Sequence, residues 1–300
     1  MNKVLSFLAG MLFLLNVSCE KIYLPSENSK GDDPHGNVTL CVSAYEQLPF
    51  TVNDGAPKLR AAQPIKGLCT RLNFAVFQNG ERVKGIAQKA DDEGFGTAKI
   101  ALSPGTYELV IIAHSCSGTA TVTAPNDITF PNNRLTDTFY YYGTLNVTSE
   151  SATHDLSLQR AVAMFRFVLR DSSLPPEFTQ MKFYYTGGSS TFDATIGVGA
   201  KQSRQTEIYS LAEAAQNEDG QPVFEVYTFP HTPTDALKMT VTAQNAAGTS
   251  ILERIFIDVP VVRNQITQYA GVFFQESGGS AEDITLTVDL EWAGQKNFVF

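Results

Sequence analysis

The thiol of Cys19 is the side chain with the most definite chemistry in this sequence. It follows Ser18 directly and closes the apolar run from Val4 to Leu15, which the basic Lys3 precedes. A basic residue, an apolar stretch and a small residue before a cysteine form the arrangement that lipoprotein signal peptidase reads before the cysteine is acylated. The run falls short of the ~20 residues that cross a bilayer as a helix, so it is an export signal and not a membrane anchor by itself. Asn16 departs from the strict pattern, which has an apolar residue three before the cysteine; Leu15 stands one step earlier. Cys19 is therefore the expected lipid attachment point and first mature residue. Each buried methylene of an acyl chain adds ~0.8 kcal/mol of membrane affinity.

The other reactive residues are sparse. Of the four histidines, His35, His114, His154 and His231, none stands at metal-ligand spacing from another, so no metal centre is expected. His114 and Ser115 are adjacent, and adjacent residues of a strand point to opposite faces, which keeps the imidazole from activating the hydroxyl. No nucleophile elbow, phosphate loop or calcium motif is present, and Gly187-Gly188-Ser189-Ser190 reads as a turn. No catalytic residue and no cofactor are expected. Cys41, Cys69 and Cys116 lack a C-x-x-C spacing, leaving one disulfide plus a buried thiol, or no bond at all. The net charge of −9 excludes a basic footprint for nucleic acid or for anionic headgroups. The Tyr140-Tyr141-Tyr142 run reads as a strand with rings packed on both sides. The alternative is an outer-membrane binding module for surface glycans or host ligands, with Tyr140 to Tyr142, Tyr184 and Tyr185 as contacts.

The elements that carry these residues are strands. Glu20 to Gly36 is rich in Pro, Ser, Asn, Gly and Asp, too polar to offset the entropy of ordering, and reads as a tether. From Val38 onward, short alternating runs are separated by turn chemistry, the pattern of β-sandwiches. Leu72, Phe74 and Val76 share one face, and Gln78-Asn79-Gly80-Glu81 supplies a hairpin turn. Tyr107 to Ala113 is apolar on both faces toward its end and belongs in the middle of a sheet. Thr153 to Arg170 reads as one long buried strand with Arg160 and Arg166 near its rims. Glu207 to Asn217 reads as a short helix, and Ile251, Ile255, Ile257 and Val259 share a face. At the end, Ile284, Leu286, Val288, Leu290 and Trp292 alternate with Thr285, Thr287, Asp289 and Glu291, so one face of this strand seeks a groove. The expected organisation is signal peptide 1–18, tether 19–36, and all-β domains 37–151 and 152–300.

The order of these features resembles a known family: Ser18-Cys19-Glu20, the tether, Gly36-Asn37-Val38-Thr39-Leu40, Leu72 to Phe77, Leu102-Ser103-Pro104-Gly105-Thr106-Tyr107, and Leu156 to Ala163. It is similar to the fimbrillin superfamily of Bacteroidales-type (type V) pili, in particular the FimB-like anchor and minor-subunit family. The resemblance implies two tandem transthyretin-like (Greek-key) β-sandwich domains in a lipid-anchored fimbrial subunit of the outer membrane, whose partners are other subunits. It also implies strand exchange: stalk subunits lose their first strand to an arginine-specific protease, and a strand of the next subunit fills the groove. Anchor subunits keep their lipid and stay uncut. Here Arg60, between Leu59 and Ala61, is the candidate cut site; the other reading is an ordinary solvated loop arginine. The segment Ile284 to Trp292 is the candidate subunit-contact strand, unless it completes its own second domain.

Overall fold

The computed structural model describes residues 37–45, 65–232, 234–274, 286–287 and 294–299. Among them every regular element is a strand apart from short 3-10 turns. The first half holds β1 (Val38–Tyr45), β2 (Arg71–Gln78), β3 (Glu81–Lys89), β4 (Thr97–Ile100), β5 (Gly105–His114), β6 (Thr121–Ala124), β7 (Asp127–Thr129), β8 (Phe139–Val147) and β9 (Ala152–Arg160). Asn79 and Gly80, at φ of 53° and 82°, turn β2 into β3, and this positive-φ pair matches the twist of a two-residue hairpin. Seven of these strands form a sheet in the order β3-β2-β5-β8-β9-β1-β4. Only Phe139 with Arg160 and Tyr140 with Gln159 join β8 to β9. The sheet folds over at that seam, and its two halves enclose a core of Leu40, Leu72, Phe74, Ile111 and Leu158. As expected, β5 is internal, between β2 and β8.

The second half holds β10 (Ala163–Leu169), β11 (Gln180–Gly188), β12 (Phe192–Asp193), β13 (Val198–Gly199), β14 (Ser203–Ser210), β15 (Ala215–Gln216), β16 (Pro222–Thr228), β17 (Thr234–Gln244), β18 (Ser250–Val262), β19 (Gln265–Gly271), β20 (Leu286–Thr287) and β21 (Gly294–Phe298). One sheet runs β15-β16-β10-β19-β21-β20 and another β14-β11-β17-β18, with Phe165, Phe167, Phe183 and Phe224 packed between them. The order repeats that of the first half, strand for strand. β16-β10-β19 corresponds to β4-β1-β9, antiparallel then parallel, and β14-β11-β17-β18 corresponds to β3-β2-β5-β8.

Thr153 to Arg170 is two strands, not one. The chain leaves the first sheet at Ala161-Val162 and enters the second at Ala163. Both parities are apolar because the residues serve three cores: Leu156 and Leu158 face the first, Val162 and Met164 a middle one, and Phe165 and Phe167 the third. Arg160 is not at a rim but buried. The division expected after residue 151 falls one strand before this change of sheet. The middle core joins the halves, since Ala75, Phe77 and Ile112 of the first pack with Met164, Phe192, Phe229 and Ile266 of the second. A four-stranded sheet, β13-β12-β7-β6, draws strands from both halves through the pair Phe192 and Ile128.

Three further expectations are corrected. Glu207 to Asn217 is not a helix: Glu207 lies in β14, paired with β11, followed by a 3-10 turn at Leu211–Glu213 and then β15. Pairing and burial of alternate residues overrode the helical preference of its alanines. Gly187-Gly188-Ser189-Ser190 is not a turn but a bulged strand end that bridges to Phe229. Gly187 is required there, because its φ is +96° and a Cβ would stand 2.5 Å from the Ala236 oxygen. Ile255 and Ile257 do not share a face with Val259. Asp258, at φ 55°, sits where the β17–β18 register shifts, and the bulge turns Val259 inward while both isoleucines stay exposed.

Arg160 fixes the seam between the halves. Its guanidinium donates to Asp137 Oδ1 and Oδ2 at 2.8 and 2.9 Å and to Asn264 Oδ1, in the β18–β19 turn, at 2.8 Å. Arg160→Met leaves the Asp137 carboxylate, about a quarter exposed, without its bidentate partner. We expect a loss of about 3 kcal/mol in urea denaturation, partly restored by Asp137→Asn in the same chain.

Candidate strand-exchange groove

The alternation Val38-Thr39-Leu40-Cys41-Val42 makes β1 a strand with one apolar face, and Val38, Leu40 and Val42 are buried in the first core. Both edges are occupied: β1 pairs antiparallel with β4, from Val38 with Ile100 to Cys41 with Thr97, and parallel with β9, from Val38 with Ala152 to Tyr45 with Leu158. Burying those three side chains contributes ~1.5–3 kcal/mol each. Their sum rivals the whole stability of a typical domain, about 5–15 kcal/mol. The seat of β1 is thus a groove that the fold needs filled.

Two residues that carried no site signal define its ends. The Asn37 side chain donates to the Leu102 carbonyl and accepts from the Leu102 N–H, both at 2.9 Å, while its own carbonyl accepts from Ala152 N–H. One residue thereby ties the start of β1 to β9 through its backbone and to the chain just past β4 through its side chain. At the other end, Val42 N–H donates to Gly96 O at 2.7 Å. Gly96 has φ +97°, and a Cβ there would lie 3.1 Å from the Val42 oxygen, so side chains are excluded from this rim. The signals were legible: Asn37 sits one residue before an alternating run, and Gly94-Phe95-Gly96 precedes a strand.

Cys19 and Arg60 lie outside the described residues, as do Ile284, Val288, Leu290 and Trp292. Leu286 lies in β20, opposite Lys296 of β21. β21 pairs parallel with the outer edge of β19, and Phe298 stacks on Tyr269 with centroids 4.6 Å apart. Cys41 lies in β1, and Cys41, Cys69 and Cys116 are free thiols; burial pushes Cys69 up to about 12. Four of the five tyrosines weighed as glycan contacts serve packing, and Tyr184 is half-buried on β11. Tyr140 and Tyr185 are buried, Tyr141 packs on the first core and Tyr142 on the middle one.

His114 is fully buried, and the Ser115 hydroxyl accepts from the Thr70 N–H. Cys116 N–H donates to Nδ1 at 3.1 Å, Ala120 N–H reaches Nε2 at 3.3 Å, and the Asn73 amide lies 3.2 Å from Nε2. Burial, with a smaller contribution from the Arg71 charge, lowers its pKa to about 4. A second buried ionisable group, Glu207, accepts from the Tyr185 and Tyr209 hydroxyls at 3.2 and 2.6 Å. Burial raises its pKa despite those bonds, and both phenols are raised, first by burial and then by the Glu207 charge. In each arrangement buried polar atoms bond to one another. Among the described residues no helix is long and apolar enough to cross a membrane.

A protein-family model, described as fimbrillin-A associated anchor proteins Mfa1 and Mfa2, matches residues 30–267. No curated protein matches the chain. Among solved structures, the fimbrial anchor protein Mfa2 from Porphyromonas gingivalis aligns at 12% identity and TM-score 0.37, covering 73% of this chain and 82% of that one. A fimbrial assembly protein from Parabacteroides distasonis aligns at 12% identity and TM-score 0.36, covering 81% and 91%. A candidate adhesin from Bacteroides ovatus aligns at 14% identity and TM-score 0.42, covering 63% and 77%.

Asn37→Ala removes both bonds to Leu102 and should cost about 1–3 kcal/mol, read as faster amide exchange across Val38 to Val42. For His114 the folded-state pKa lies below the ordinary value near 6.5. As pH falls below 6.5 the unfolded chain takes the proton first, so stability is intact above 6.5 and declines toward pH 4, by about 3 kcal/mol in all. The wild type should therefore lose more stability than His114→Gln over that interval, measured as the difference in urea midpoints at each pH.

Proposed function

The chain belongs to the family of fimbrillin-A-associated anchor proteins Mfa1 and Mfa2, and from that membership we propose that it is a lipid-anchored subunit of a fimbria, an anchor or minor component, that assembles by β-strand exchange. Membership makes it a cell-surface structural protein associated with other fimbrial subunits. The finer reading concerns what holds it and how it joins them.

The observation that carries this reading is the seat of β1. An edge strand can be lost and leave an edge, but β1 lies between β4 and β9, so its departure opens a slot with a pairing surface on each side and an apolar floor. An incoming strand gains backbone hydrogen bonds from both neighbours, and alternate apolar side chains in the places of Val38, Leu40 and Val42 set its register. Arg60 lies between β1 and β2 in the sequence. A cut there would separate β1, together with Cys19 and its lipid, from the remaining chain; an uncut chain keeps the slot filled and the lipid attached. The free state of Cys41 supports the view that no disulfide would retain the severed strand. Segment 284–292 has the alternation that such a slot accepts, and it is the contact strand of this reading. The two halves, with their repeated strand order, act as tandem domains.

Intact-mass analysis of the protein from outer membranes tests the proposal. An acylated Cys19 on a full-length chain identifies an anchor, and a chain beginning at Ala61 identifies a processed, polymerising subunit. A mature chain bearing Cys19 without acyl groups overturns the lipid attachment.

A further inference from the structure

Away from the β1 seat, the outer surface of the second half contains a cavity of about 270 Å³. That is just under the usual range of small-molecule sites, about 300–1,000 Å³, and is room for a single ring. Its construction follows from strand register. Glu225, Arg166 and Gln268 lie side by side on β16, β10 and β19, and in the next row Val223 lies beside Val168. The two valines form an apolar floor. β15 borders it through Ala215 and Gln216, and Arg170 stands just past the end of β10.

The polar groups around this floor differ in how they are engaged. Arg166 donates to Glu225 Oε1 from Nε at 2.9 Å and Nη2 at 2.8 Å, and the Tyr227 hydroxyl donates to Glu225 Oε2 at 3.2 Å. That pair is internally neutralised. The side chains of Arg170, Gln216 and Gln268 make no such bond within the described residues, although each lines the cavity. Arg170, which is exposed, thus has no ion-pair partner among the described residues, in a protein whose net charge is −9.

We propose that this cavity binds an acidic monosaccharide unit, with its carboxylate on Arg170. The planar guanidinium fork matches a carboxylate in a bidentate pair. Each glutamine amide offers both donor and acceptor, as a sugar hydroxyl does, so Gln216 and Gln268 suit ring hydroxyls. The Val168 and Val223 floor takes the C–H face of the ring. A plain anion leaves the amides and the floor unused, and a neutral sugar leaves the charge unused. The site is distinct from the β1 seat and from the tyrosines that serve the cores, and it gives a fimbrial subunit a contact with acidic glycans.

The full mature protein, labelled with ¹⁵N, is titrated separately with glucuronate, glucose and acetate. Glucuronate should shift the amides of Val168, Gln216 and Gln268 with millimolar affinity, weakened on the order of ten-fold in Arg170→Gln. Arg170→Gln removes no side-chain bond within the described residues, and an unchanged amide spectrum elsewhere certifies that it is folded; Gln268→Ala should weaken glucuronate without creating acetate binding. Equal affinity for glucose overturns the role of the charge, and equal affinity for acetate reduces the site to a simple anion contact. No shift at these amides, or shifts elsewhere only, overturns the site itself.

Discussion

The first half of the molecule depends on one strand being held from two sides. Neighbouring strands lie about 4.8 Å apart, so β4 and β9, each paired with β1, stand two spacings from one another. Without β1 that gap is the width of one extended chain and too wide for direct pairing. Nor can the flanking strands make up the loss. β9 meets β8 through two residue pairs, and β4 is otherwise tied to β3 by Gln88, which donates to Thr97 O and accepts from Gly96 N–H. Rows of backbone donors and acceptors facing an empty slot carry a large desolvation cost, and a helix or loop cannot satisfy them in register. The geometry therefore dictates the kind of object that fits: an extended segment with small or medium apolar residues at every second position.

The second half uses the same frame under a different constraint. β10 occupies the place of β1, between an antiparallel and a parallel neighbour, yet it follows β9 after only Ala161 and Val162. Those two residues lie in the middle core, and the backbone of each is bonded, Ala161 N–H to Thr138 O and Val162 O to Asn264 N–H. A strand so embedded cannot be exchanged. The difference between the halves is thus one of connection, not of fold: β10 follows directly on β9, whereas β1 precedes in the chain both strands that flank it. The edges also differ. β8 closes onto β9 in the first half, whereas in the second β21 lies along β19 and brings Phe298 onto Tyr269.

Much of this was legible from alternation. β1 and β17 fell where apolar residues recur at every second position, because one face of each is buried and the period of a strand is two; β2 and β5 are buried on both faces and showed as denser apolar runs. The Asn79-Gly80 turn was legible because few residue pairs tolerate two consecutive positive φ angles. Alternation fails where a strand serves more than one core. Residues 153–170 are apolar on both parities, and nothing local marks the point at which the chain changes sheets; the mark is Arg160, whose partners Asp137 and Asn264 are far away in sequence. It also fails at bulges, since the shift at Asp258 inverts every side chain beyond it. Glu207 was misread for a related reason: its burial is permitted only by the Tyr185 and Tyr209 hydroxyls, and the first of these belongs to a neighbouring strand. The β1 seat was half legible. Its apolar face shows in the sequence, but the double occupancy of its edges is a property of topology.

The partnership of Val38 with Ala152 also orders events in time. A chain that emerges from export with its amino terminus first presents β1 long before β9, the strand that will lie along it. Until then Val38, Leu40 and Val42 have no lasting shelter. The outer face of β2 and β5, with Phe77 and Ile112, waits longer still, for Phe192, Phe229 and Ile266. Contacts so distant in sequence close slowly. Until the last third of the chain is in place, the apolar faces of the middle core have no partner to cover them.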